Sequence, residues 1–291
     1  MRLINVFFIL VVGILTHSIE GSRYGADPDD LSLEEILDLG DTSLSQNDPV
    51  SAAKYYEHGV AKIKEDEDSL VTCLSMYTNL GTTYSSMGDE RKAIGMYRNA
   101  IVLYSNQIEE IVEKSMQKTA SDLTAQAAFF LGLSHDELGN HRKAADSYAF
   151  AASLDEYHWA AFANLGSVLQ DHLHESSEAL AAYNKASDLL TQREVEPTDP
   201  PDDPNYVVSQ LQYGIGLAIS FAKEQKCVMH DDPTKEVPCS EMAAAAFNYA
   251  VELDPDNEKA KHMLASVTAD ATMIKASNTY VTELFEDYAE K

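Results

Sequence analysis

Between residues 33 and 268 the apolar positions recur at helical spacing, and they recur in pairs. In YTNLGTTYSSMGDERKAIGMYRNAI, Tyr77, Leu80, Gly81 and Tyr84 form one stripe at i, i+3, i+4 and i+7. Gly88 and Asp89 mark a turn, and Ala93, Tyr97 and Ala100 form a second stripe. The pattern predicts two short amphipathic helices facing each other. It returns at Leu131, Gly132, His135, Gly139, Ala144, Tyr148 and Ala151. A further copy holds Phe162, Leu165, Gly166 and Leu169, and continues after a one-residue slip with Ala179, Tyr183 and Ala186.

A weaker copy near the start holds Ile36, Leu39, Gly40, Ala52, Tyr56 and Gly59. The fifth is split: Ile215, Gly216 and Ile219 belong to its first helix, and Ala243, Phe247, Ala250 and Pro255 to its second. A cysteine-bracketed stretch lies between them, an insertion that costs little loop entropy. A last helix near residue 258 caps the series, with Leu264 and Ala265 in the Leu-Gly places. Two irregularities stand out. NQIEEIVEKSMQKTASDL reads as an extension of the second repeat's second helix, and the proline-rich EPTDPPDDPN reads as an extended loop.

With these residues in place, the chain resembles the tetratricopeptide repeat family over residues 33–268, with repeats starting near 33, 74, 125, 159 and 209. The resemblance implies an all-α fold, a right-handed superhelix of antiparallel helix pairs with a concave groove lined by the first helix of each pair. The pattern also has a physical reading. Gly81, Gly132 and Gly166, with Ala93, Ala144 and Ala243, allow close helix approach, and Tyr97, Tyr148 and Phe247 fill the gaps between successive pairs. Each pair cannot bury its apolar face alone, so stacking supplies the core.

Charge narrows the partners. The 21 basic and 48 acidic residues leave a formal charge of -27, which disfavours nucleic acid and anionic membrane surfaces and favours a basic or neutral protein or peptide. First helices such as LSMYTNLGTTYSSM and AQAAFFLGLSHDEL contain no Lys or Arg, so they lack the charge of a clamp for acidic tails. The superhelix of the O-linked N-acetylglucosamine transferase binds ligand backbone through a ladder of Asn residues before the Leu-Gly pair. Asn79 and Asn164 stand in matching places, whereas Phe130 and Gly214 interrupt the series. Asn79, Asn164, Phe130 and Tyr213 are the candidate groove contacts, against the alternative of local backbone bonds for the two amides.

The N-terminus, MRLINVFFILVVGILTHSIEGS, reads as a signal peptide over residues 1–21, followed by an acidic leader over 22–32; an uncleaved signal anchor is the alternative. The expected setting is the secretory pathway, where Cys227 and Cys239 would close the polar loop between them as a disulfide and Cys73 would remain a buried thiol. A metal site built on Cys227, His230, Asp231 and Cys239 matches no common zinc spacing, and His172, His174 and Glu175 read as a solvated turn. No metal or other cofactor is expected.

No phosphate loop and no nucleophile-base arrangement is present in the sequence, so this chain is expected not to be an enzyme. The end of the chain offers a second reading. Residues 269–291 form a linker and an amphipathic helix, and His262, Met263 and Leu264, followed by Tyr280, Val281, Leu284, Phe285, Tyr288 and Ala289, resemble the junction of tetratricopeptide proteins fused to an S-adenosylmethionine-dependent methyltransferase. That resemblance implies a recognition arm without its catalytic domain.

Overall fold

The computed structural model describes residues 30–64, 69–110, 113–191, 197–221, 226–228 and 234–268. The signal peptide and the C-terminal linker and helix expected from the sequence lie outside the described residues, and of the residues that resemble a methyltransferase junction only His262, Met263 and Leu264 fall within them. Among the described residues no helix is long and apolar enough to cross a membrane. The fold is all-α, a series of helix pairs, and it forms two compact units that meet in sequence at Asp155 and Glu156.

The N-terminal unit holds α1 (Leu33–Ser45), α2 (Pro49–Lys62), α3 (Leu70–Ser86), α4 (Glu90–Gln107), α5 (Lys114–Glu137) and α6 (His141–Leu154). Each helix packs on the next, and the first helices α1, α3 and α5 also touch in sequence. Helix starts follow local chemistry. Ser32 caps α1 through a capping box with Glu35, and Asp48 caps α2 with Pro49 in its first turn. Asp89 caps α4 through the Lys92 amide. Turns within the pairs need a left-handed residue, supplied by Asn47, Gly88 and Gly139 at φ of 60°, 80° and 70°.

The C-terminal unit holds α7 (Trp159–Val168), α8 (Ser176–Thr191), α9 (Pro204–Ser220), α10 (Cys239–Leu253) and α11 (Glu258–Thr268). Between α7 and α8 a π-helical turn spans Leu169–Leu173, and His174 follows in the left-handed region at φ 57°. A π turn inserts one residue into a helix. It therefore accounts for the slip between Gly166 and Ala179. The proline-rich loop before α9 is pinned to the start of α7, where the Trp159 indole donates to the Asp199 carbonyl at 2.7 Å and the Thr198 amide donates to that of Tyr157.

A repeated joint organises both units. A Cβ at Gly132 would lie 2.5 Å from Cε1 of Tyr148, and Gly81 holds Tyr97 at the same distance. Gly40 receives Tyr56, Gly166 receives Tyr183 and Gly216 receives Phe247 in the same way. The missing side chain on the first helix is thus the seat for a ring from the second helix of the same pair. This adds to the expectation that the rings fill the gaps between successive pairs. They do both, since Tyr183 also lies against Gly214 of the following first helix, and Tyr97 stacks on Phe130 with centroids 5.9 Å apart. Ala52, Ala93, Ala144, Ala179 and Ala243 are all fully buried.

Two expectations need correction. The segment after Gln107 does not lengthen α4. That helix gives way to a short 3-10 turn at Ile108–Glu110, and a new helix starts at Lys114, so most of the segment lengthens the first helix of the third pair. The β-branched Ile108 weakens helix propensity where α4 ends. Downstream, Ala120 and Thr124 continue the buried stripe of α5, and Ser121 donates to the Leu154 carbonyl at the end of α6. The cysteine-bracketed stretch is also more ordered than a bare loop. β1 (Lys226–Val228) and β2 (Glu236–Pro238) pair antiparallel with Cys227 opposite Val237. Cys227 and Cys239 form the expected disulfide, which ties β1 to the first residue of α10. Cys73 is buried in α3. Pro255 lies just beyond α10, and Asn257 caps α11 through the Ala260 amide.

Candidate functional site

The first helices carry the candidate contacts, and the position two residues before the seat glycine has a shared use in three of the pairs, at Asn79, Phe130 and Gly214. It packs against the ring of the preceding pair. Phe130 stacks on Tyr97, and Gly214 leaves room for Tyr183. Asn79 joins a polar version of the same joint. Its amide donates to Asp41 Oδ1 at 2.9 Å, and the Tyr56 hydroxyl donates to the same oxygen at 2.5 Å. This use is not legible in the local sequence, because the partners come from two other helices.

Asp41 is the centre of that cluster. Burial raises its pKa above the ordinary carboxylate range, the bonds from Tyr56 and Asn79 pull it back down, and the neighbouring charge of Asp38 pushes it up again. Its second oxygen makes no hydrogen bond among the described residues. Asp38, exposed, stands at the position equivalent to Asn79 in the first pair. Two carboxylates thus sit together on α1, beside an α3 that contains no charged residue.

In the C-terminal unit Asn164 is 9% exposed and donates to the Ala160 carbonyl one turn earlier at 2.9 Å. Tyr213 is half-buried, with its ring 6.0 Å from that of Phe247. The Tyr183 hydroxyl bonds to Ser167, the residue after the seat glycine, while burial raises its pKa above the tyrosine range. The structure therefore places Asn79 and Phe130 on first helices of one unit, and Asn164 and Tyr213 on first helices of the other.

The family model of the tetratricopeptide repeat matches residues 74–107, from within α3 to the last residue of α4. No curated protein matches the chain by sequence. Among solved structures, MamA is 19% identical over 78% of this chain and 94% of its own, with a TM-score of 0.51. YrrB, described as a TPR protein with an unusual peptide-binding site, is 15% identical over 79% of this chain and 91% of its own, with a TM-score of 0.51. MamA from Desulfovibrio magneticus RS-1 is 15% identical over 80% and 98%, at 0.50. At such identities the likeness is one of fold. Residues 74–107 thus form a tetratricopeptide repeat, and the described helix pairs on either side of it share its fold.

Proposed function

We propose that this protein is an interaction scaffold that holds a basic or neutral peptide, or an extended segment of a protein, against its first helices. The observation that carries the reading is the chemistry of α1 and α3: two adjacent carboxylates, one of them held by Tyr56 and Asn79, beside a polar but uncharged helix surface. The exposed Asp38 beside a half-buried Asp41 of fixed orientation suits a lysine or arginine side chain, and the net charge of -27 draws such partners in. The peptide-binding site described for YrrB supports the class of ligand. In the N-terminal unit Asn79 and Phe130 are the contacts beside the carboxylates. In the other unit Tyr213 is the stronger candidate, and Asn164, with part of its amide already used, contributes less.

We place the scaffold in an oxidising compartment of the secretory pathway, a reading supported by the Cys227–Cys239 disulfide. The binding reading is tested with an array of synthetic peptides graded in charge. Lysine- and arginine-rich peptides are expected to be retained over glutamate-rich ones. Asp38→Lys, on an exposed residue, is expected to weaken that retention by about fivefold, the effect of roughly 1 kcal/mol from one surface pair. Preference for acidic peptides, or equal retention by Asp38→Lys and the natural protein, would count against the reading.

A further inference from the structure

His135, on α5 three residues after the seat glycine Gly132, is 9% exposed, and its Nδ1 is buried without a hydrogen-bond partner. The equivalent residue one pair earlier is Tyr84, and its surroundings differ in one respect. The Tyr84 hydroxyl donates to Glu57 at 2.5 Å, and the Lys92 ammonium lies 4.9 Å from its ring centre. The residues at the same places around His135 are Arg98 on α4 and Lys143 on α6. An acceptor carboxylate has been exchanged for a guanidinium. A neutral imidazole tolerates that pair of cations, and an imidazolium does not.

We propose that His135 is an acid-sensitive joint of the N-terminal unit, in which protonation sets a third positive charge against Arg98 and Lys143 and loosens α5 and α6 from α4. The charged groups around it are few. Arg98 faces it from α4 and Lys143 from α6, and α3 contributes no charge. On α5 itself Asp136 is engaged with the His141 ring at 2.9 Å, and Glu137 is exposed. Burial, then Lys143 and Arg98, hold the imidazole below its ordinary value. The sign follows from linkage: the unfolded chain takes up the proton first, so this stability is present above the ordinary histidine value of about 6.5 and is lost as the pH falls from there through the lowered value of the folded chain.

The full chain is compared at about pH 7.5 and about pH 5.5, either side of that value, by amide exchange in α4 to α6 corrected for intrinsic rates. The natural protein should show a several-fold rise in opening at the lower pH. His135→Tyr, which restores the residue of the preceding pair, should show little change. Arg98→Glu, which restores the carboxylate, should reverse the dependence by giving the imidazolium a partner. An NMR titration of the His135 ring settles the matter if His135→Tyr fails to fold. A ring that titrates at or above the ordinary value, or a His135→Tyr protein with the natural pH dependence, would overturn the proposal.

Discussion

Tyr148→Ala is expected to destabilise the N-terminal unit by about 3–5 kcal/mol, the range for removing a buried aromatic side chain. The ring is fully buried on Gly132 and lies 5.8 Å from Phe129, so its loss leaves a cavity that rigid helices cannot close. The hydroxyl plays no part in this. It is buried without a hydrogen-bond partner, and burial raises its pKa beyond the tyrosine range. Tyr148→Phe should therefore be neutral or stabilising by up to about 1 kcal/mol, since it removes an unpaired polar group. Tyr56→Phe should be destabilising by about 1 kcal/mol, because Asp41 loses a donor. Urea unfolding of the three variants gives the comparison. Equal costs for Tyr56→Phe and Tyr148→Phe would contradict the distinction.

Gly132→Ala carries the second large effect, and its sign depends on the ring. In the natural protein the new methyl falls 2.5 Å from Tyr148 Cε1 and 2.6 Å from Cδ1. The ring is enclosed and cannot swing aside, so overpacking costs about 1–3 kcal/mol and outweighs the helix-propensity gain of about 1 kcal/mol. In a Tyr148→Ala background the obstruction is gone and only the gain remains. There, Gly132→Ala should stabilise. The cycle isolates the joint from every other consequence of either substitution. A Gly132→Ala cost unchanged by Tyr148→Ala would mean that the glycine serves some other contact.

These joints explain why the fold was legible from the residues. Gly40 and Tyr56, Gly81 and Tyr97, and Gly132 and Tyr148 meet within single helix pairs, so their spacing is local and recurs along the chain. Even the irregular copy was readable, because the extra residue before Ala179 is the π turn at Leu169–Leu173. The third pair was harder. A long polar stretch with helical character can join either neighbour, and the choice was made by the β-branched break after Gln107 and by the packing of Ala120 and Thr124.

The candidate surface was less legible for a physical reason. Asn79 looked like a residue awaiting a ligand, but its amide completes a joint with Asp41 on α1, and Tyr56 on α2 is its other member. Asn164, with the same local sequence, bonds to its own helix instead. Identical neighbours in sequence thus serve different partners, because the decisive atoms come from other helices. The hairpin was hidden similarly. Three residues a side carry too short an alternation to signal strands, whereas the disulfide that ties β1 to α10 was expected from the cysteine spacing.

In the proposed function the first helices, and α1 and α3 above all, receive a basic ligand. Hydrogen exchange of the full chain, with and without a saturating lysine- and arginine-rich peptide chosen from the array, tests it directly. Protection is predicted along α1 and α3 and at the exposed turns of α5, centred on Asp38, Asp41 and Asn79, with α2, α4 and α6 unchanged. Protection confined to α2, α4 and α6, with the first helices exchanging as in the unbound protein, would contradict it.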